Sequence, residues 1–209
     1  MSTLLALGAC ITVFPALANG PVESQTEAKE LVMQRFVAAL NSHDVDAQYA
    51  LYAKDMVYLN GERRVKPARK SERRSREFEA ANDATWSFEI SAVGPDWAEG
   101  TLTEDMLYYQ LLGVGPRSHE VRVRFRNAKI VEMSSSNWTE AGCPYEETRN
   151  RFIDWLIEEK PRLAADVSRD GRIVFNGETA VLINRAVREW CPPTGCPKCG
   201  PSNNGVGSD

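Results

Sequence analysis

His119 is the residue of this 209-residue chain best placed by sequence to move a proton. In "SHEVRVRFR", residues 118–126, His119, Val121, Val123 and Phe125 fall on one face of a strand. Glu120, Arg122, Arg124 and Arg126 fall on the other. An imidazole at the start of such an inward face can exchange protons near neutral pH. Asp105, in the preceding β run, is the carboxylate that would orient it, so His119 and Asp105 are expected as a proton-transfer pair. The plain alternative is a partly buried histidine satisfied by a neighbour.

Around that pair the chain is rich in rings. Tyr49, Tyr52, Tyr58, Trp86, Tyr108, Tyr109 and Trp138 could line a pocket for a flat or apolar ligand, their hydroxyls giving direction. Simple core packing needs the same bulk. A second cluster is cationic: Arg63, Arg64, Lys66, Arg69, Lys70, Arg73, Arg74 and Arg76, partly offset by Glu62, Glu72 and Glu77. The pairs Glu72 to Arg76 and Arg73 to Glu77 have helical i,i+4 spacing. The run reads as a solvated helix face, or as a rim for anions, acidic partners or lipid head groups. No aromatic interleaves it, which argues against single-stranded nucleic acid.

Cys143, Cys191, Cys196 and Cys199 are an even set, which in an exported chain reads as two disulfides. Cys143 and Cys191 flank a pair of helices and could meet at their base; Cys196 and Cys199 would then pair locally. A four-thiolate zinc site has proper spacing in only one C-x2-C pair, and the metal expectation is none. The sequence shows no Gly-rich phosphate loop, nucleophile elbow or metal-binding helix pair, so no cofactor is expected.

Export is suggested by residues 1–18. "STLLALGACITVFPALA" has no charged side chain and ends in Ala16-Leu17-Ala18, a signal-peptidase pattern too short to serve as a transmembrane anchor. A periplasmic or extracellular location is expected, with lipid attachment through Cys10 as a variant. The chain is 43% apolar and 26% charged with a formal net charge of -4, so nothing in its overall charge points to nucleic acid.

The elements that must position these groups follow from periodicity. Ser24-x-x-Glu27 opens a helix with Leu31, Val32, Phe36, Ala39 and Leu40 as its stripe. Asp44 caps a second helix, with Val45, Tyr49 and Tyr52 on one face. Pro67 suits the first turn of a third, running to about Ala81, with Ala68, Ser71, Ser75 and Phe78 inward. Four β runs follow: "ATWSFEISAV", "WAEGTLTEDMLYYQLL", "SHEVRVRFR" and "KIVEMSSSNW", expected to pair antiparallel across short turns. Then come a helix stopped at Pro161, an Asp170-Gly171 turn, a short strand "RIVF", and a last helix capped by Asn176.

Three helices followed by such a sheet resemble the nuclear-transport-factor-2-like superfamily, particularly its SnoaL-like and ketosteroid-isomerase-like members. The resemblance covers residues 27–138. It is carried by "FVAALNSHDVDAQYALYAKDMVY", the basic third helix and "KIVEMSSSNW". It implies an α+β fold: a cone-shaped domain of three N-terminal helices packed on a curved antiparallel sheet, here followed by a disulfide-tied helical appendage. It does not by itself imply an activity.

In ketosteroid isomerases an acid on the strand after helix two takes the proton. Counting from "YAKD", that place is Asn60, which is no base but can orient a ligand, or can simply turn the chain with Gly61. The expected organisation is a signal peptide at 1–18, the cone at 22–140, the helical extension at 141–199 and a loose tail at 200–209. The expected role is binding of a small apolar or aromatic molecule. The alternatives are a SnoaL-like isomerase, cyclase or hydrolase using His119 and Asp105, and an interaction module that homodimerises through the outer sheet face at Arg122, Arg124 and Arg126.

Overall fold

The structure is a computed structural model that describes residues 21–61, 63–169 and 172–191. The expected signal peptide at 1–18, Cys196, Cys199 and the C-terminal tail lie outside the described residues. Helix α1 (Pro21–Asn41) starts three residues before the Ser24 capping box. Its buried stripe is Val32, Met33, Phe36, Ala39 and Leu40, at i, i+3, i+4 spacing. Asp44 caps α2 (Val45–Ala50) by accepting from the backbone N–H of Asp46 and Ala47 at 2.9 Å each. This helix is shorter than its sequence stripe, and Tyr52 already belongs to β1 (Tyr52–Asn60). Gly61, at φ +59, turns β1 into β2 (Arg63–Val65), with Asn60 paired to Arg63.

Helix α3 (Arg69–Ala80) begins two residues beyond Pro67, after Ala68. The expected inward face is only partly right. Ala68 and Ser71 are exposed, Phe78 is buried, and beside it Glu79 is buried as well.

Strands β3 (Thr85–Val93) and β4 (Trp97–Asp105) form a long antiparallel hairpin. The second expected β run does not continue through "MLYYQLL". The residues after Asp105 form α4 (Leu107–Leu112), closed by Gly113 in the left-handed region at φ +72. Leu112 and Tyr108 are fully buried there. A strand would have sent alternate members of this apolar run to solvent; a helix turn buries Tyr108, Tyr109 and Leu112 together.

Strand β5 (Arg117–Arg126) alternates as its sequence requires, and Asn127 and Ala128, both at positive φ, turn it into β6 (Lys129–Ser135). The sheet order is β2-β1-β6-β5-β4-β3, with β7 (Thr139–Glu140) added on β5. The sheet is mixed rather than antiparallel, because β1 runs parallel to β6.

The remaining elements are α5 (Tyr145–Glu159), α6 (Pro161–Val167), the two-residue strands β8 (Ser168–Arg169) and β9 (Arg172–Ile173), and α7 (Gly177–Trp190). Pro161 ends α5 by starting α6, at a position where its missing N–H costs nothing. Asn176 and Thr179 cap α7 reciprocally.

Two apolar cores result. One lies between α1, β1 and the inner sheet face, around Met33, Phe36, Val123 and Ile130. The other joins Phe78, Tyr108 and Leu112 to Phe152, Ile183 and Val187. The C-terminal helices therefore share a core with α3 and α4. A buried hydrogen bond from Asn184 Nδ2 to Asn82 Oδ1, at 2.8 Å, crosses that junction.

Candidate functional site

The junction between α3, β4, α4, β5 and the C-terminal helices encloses a cavity of about 350 Å³. Phe78, Trp86, Tyr108, Tyr109, Tyr145 and Phe175 give it an aromatic wall, and Glu79 and Glu104 face it. Glu104 is placed by strand parity. Ala98, Gly100, Leu102 and Glu104 occupy the buried face of β4, so the carboxylate arrives at the end of an otherwise apolar row. Glu79 is placed by the helix, one turn beyond Arg76 on the side of α3 that meets β3.

The two carboxyls differ from surface glutamates. Burial, aggravated by the neighbouring Glu79, pushes Glu104 up to about 8. No cation lies within salt-bridge distance of Glu104 among the described residues; its partner is the Tyr109 hydroxyl, which donates to Oε2 at 3.0 Å. Tyr109 in turn accepts from Arg117 Nη1 at 3.2 Å, so the guanidinium charge reaches Glu104 through a tyrosine. Burial also raises Glu79, to about 7, although Arg76 pairs with it and Trp86 Nε1 donates to it at 3.2 Å. Desolvation outweighs the ion pair here. Near neutral pH these residues form a site with one or two protons to give or share, inside an aromatic wall.

Arg117 is the hinge of the arrangement. Its guanidinium lies 4.1 Å from the Tyr145 ring, 4.7 Å from Trp138 and 5.2 Å from Tyr109, and its Nε donates to Glu140 at 3.3 Å. The side chain is held on every side, so it is a fixed positive wall.

The expected His119–Asp105 pair is not brought together. Register places His119 opposite Leu102, and Arg117 opposite Glu104. Asp105 has the opposite parity to Glu104, points to the other face of β4, and accepts from Gln110 at 3.1 Å. His119 does face inward, as its strand pattern requires. It stacks on Trp138 with ring centroids 3.7 Å apart, and burial with the nearby Arg117 charge depresses its pKa to about 4. Both ring nitrogens are buried without a protein partner among the described residues. At neutral pH it is an uncharged, weakly basic ring.

The aromatic residues divide. Trp86 and Tyr108 line the cavity, and so does Tyr109. Trp138 stands behind Arg117. Tyr49, Tyr52 and Tyr58 pack on one another in the other core, with centroids of 5.3 and 6.3 Å. The Tyr52 and Tyr58 hydroxyls meet at 2.7 Å, Gln48 Nε2 donates to Tyr52 at 2.6 Å, and Tyr58 reaches Glu72 at 3.3 Å. These rings fill the space that the sequence assigned to a ligand. Glu72 is consequently turned inward, and Arg76 pairs with Glu79 instead of with it. Asn60 ends β1 at the turn, on the strand that carries Tyr58.

A wider groove of about 670 Å³ runs between α1 and β3, lined by Met33, Val37, Trp86, Phe88 and Ile90. Trp86 borders both spaces. Its polar groups come from Glu30, Gln34, Asn41 and Ser87. Asn41, at its rim, is engaged by the backbone of Trp86 in two hydrogen bonds, of 2.7 and 2.9 Å.

Glu79 and Glu104 are the residues that sequence reasoning passed over. Glu104 was detectable, since it keeps the parity of Leu102. Glu79 was hidden in a helix whose charges read as outward. Among the described residues no cluster of histidine, cysteine, aspartate and glutamate has the arrangement of a metal site. The outer-face arginines are engaged: Arg122 with Glu99 at 3.0 Å, Arg124 with Asp96 at 2.8 Å and Arg126 with Asp55 at 2.6 Å.

No family model matches the chain, and no curated protein matches it. Solved structures do. A candidate ketosteroid isomerase from Kribbella flavida aligns over 56% of this chain and 82% of its own, at 19% identity and a TM-score of 0.42. An LEH-like epoxide hydrolase from M. tuberculosis aligns over 54% and 83%, at 18% identity and 0.38. A nuclear-transport-factor-2-like protein of unknown function from Cytophaga hutchinsonii aligns over 52% and 88%, at 7% identity and 0.39. Each likeness covers about half of this chain.

Proposed function

We propose that this is an exported protein that binds a small molecule with an apolar or aromatic body and a neutral hydrogen-bonding head. The ligand sits in the cavity between the sheet domain and the C-terminal helices. One observation carries the reading: Glu104 is a buried carboxyl with no cation in salt-bridge contact among the described residues, raised to about 8, facing an aromatic-walled cavity of about 350 Å³. A protonated carboxyl is a donor as well as an acceptor, so a carbonyl or hydroxyl on a flat ligand would match it. The head is neutral because an anion would meet two carboxyls, while Arg76 and Arg117 are already engaged.

The test is a thermal-shift screen of flat carbonyl and phenolic compounds at about pH 6 and about pH 9, where the carboxyls change state. Hits that stabilise the protein at the lower pH, and lose that effect in Glu104→Leu, support the reading. A screen without such hits, or hits indifferent to Glu104, overturns it.

A second reading is a proton-transfer enzyme in which Glu104 and Glu79 take the roles that the sequence gave to His119 and Asp105. Two carboxyls raised into the neutral range beside each other favour it. Exchange of α-protons of bound carbonyl compounds with deuterated water, followed by NMR, distinguishes it from binding alone.

Export and disulfide formation belong to the same reading. Cys143 is buried just ahead of α5, Cys191 closes α7, and neither is without a partner. Tied cysteines at these two places would secure the helices that complete the cavity.

A further inference from the structure

We propose that the β1–β2 hairpin and the adjoining start of α3 form a face that docks on an anionic lipid surface. The observation is a difference among the eight cations of residues 63–76. Arg64 pairs with Glu132, Arg69 and Arg73 pair with Asp46, and Arg76 pairs with the buried Glu79. Arg63, Lys66, Lys70 and Arg74 have no ion-pair partner among the described residues, and all four are exposed. They are spread over residues 63–74, and Lys70 and Arg74 stand one helical turn apart on α3.

The geometry suits a broad planar surface. The hairpin turn stands clear of the fold, since a Cβ built on Gly61 meets nothing within 4 Å. Val65, one of the few large apolar side chains left exposed, lies between these cations at 37% exposure. An exposed aliphatic side chain flanked in sequence by Arg63, Arg64 and Lys66 has the composition of an interfacial contact: the cations attract phosphates and the apolar group enters the head-group layer.

A specific protein partner is less suited. Neither the cavity nor the groove described above is lined by Arg63, Lys66, Lys70 or Arg74, so neither offers these cations' partner a pocket for an anchoring side chain. Nucleic acid fits no better, since no aromatic falls within residues 63–76 and the Tyr49 ring beside them is covered by Arg69 at 5.2 Å. No described helix is long and apolar enough to cross a membrane, so the contact is peripheral.

The test is co-sedimentation of the full chain with phosphatidylcholine vesicles, with and without about 30% phosphatidylglycerol, at low and high salt. Binding is expected only to the anionic vesicles and is expected to disappear at high salt. Each basic side chain near such a surface is worth about fivefold in affinity. The variant Arg63→Gln/Lys66→Gln/Lys70→Gln/Arg74→Gln, which breaks no ion pair among the described residues, should therefore bind about six hundredfold more weakly. Val65→Ser should weaken binding severalfold at unchanged charge.

Circular dichroism identical to the parent establishes that these variants fold. Glycerol phosphate should not compete at millimolar levels; if it does, the face is a soluble-anion site and the proposal fails. Equal binding to neutral vesicles, no binding to either kind, or an unaffected quadruple variant also overturns it. So does tight binding to polyglutamate or heparin without vesicle binding, which would point to an acidic macromolecule.

Discussion

Replacing Glu104 with glutamine separates the energetic role of its charge from that of its shape. The folded protein holds this carboxyl at about 8, against an ordinary value of 4.5. A folded value above the unfolded one means that the native state binds the proton more tightly. The associated stability is full below about pH 4.5 and is lost as pH rises toward 8. At about 1.4 kcal/mol per unit, the ceiling is about 5 kcal/mol. Part of it belongs to Glu79, whose charge helps to raise Glu104, so about 3 kcal/mol is the working expectation.

Glutamine is nearly isosteric with the protonated acid and can still accept from Tyr109, but it buries an extra N–H, at a cost of about 1 kcal/mol. Glu104→Gln should therefore be less stable than the parent by about 1 kcal/mol near pH 5 and more stable by about 2 kcal/mol near pH 9. Urea denaturation followed by tryptophan fluorescence at a series of pH values measures both. A stability difference that does not change with pH would refute the reasoning, because Glu104 would then be ionised throughout, with its charge satisfied by Arg117 and Arg76.

Four further outcomes follow from the packing and the backbone. Phe152→Ala removes a fully buried ring from the junction core and should cost about 4 kcal/mol in the same denaturation assay. Ala128 holds φ +55 in the β5–β6 turn; Ala128→Gly makes an Asn-Gly pair and should stabilise by about 1 kcal/mol. His119 has a folded pKa near 4, below its ordinary 6.5, so its contribution is lost as pH falls from about 6.5 toward 4. His119→Phe, which keeps the stack on Trp138, should remove that acid-side loss, read as a flatter thermal midpoint over this range. Mass spectrometry of the unreduced protein after alkylation should find Cys143 and Cys191 unmodified; alkylation of either would remove the disulfide tie from the proposed function.

What could be read from sequence was local. The alternation in "SHEVRVRFR" is carried by residues two apart and appears unchanged in β5. The caps at Asp44 and Asn176 are equally local. The parallel pairing of β1 with β6 joins Tyr58 to Met133, and nothing within either strand announces a partner so far along the chain. In "MLYYQLL" every position but Gln110 is apolar or amphipathic, so period 2 and period 3.6 are hard to tell apart, and the core decides for the helix. The site failed for a related reason. Histidine and aspartate attracted notice by type, while the parity that separates Asp105 from Glu104 decides which carboxyl is buried. For Tyr49, Tyr52 and Tyr58, sequence shows that rings are present but not that they pack on one another.

The C-terminal helices change what the first part of the chain can do. Without Tyr145, Arg149 and Phe175, the surface formed by α3, β4 and α4 would be open on one side. Glu79 and Glu104 would then face water and return toward ordinary carboxylate behaviour, since burial is the largest cause of both shifts. The same helices fix Arg117, whose nearest ring is that of Tyr145 at 4.1 Å. The acid–base character of the cavity is therefore a property of the joined structure. A ligand that enters it must contact both parts, and its binding energy would add to whatever holds the C-terminal helices against the sheet domain.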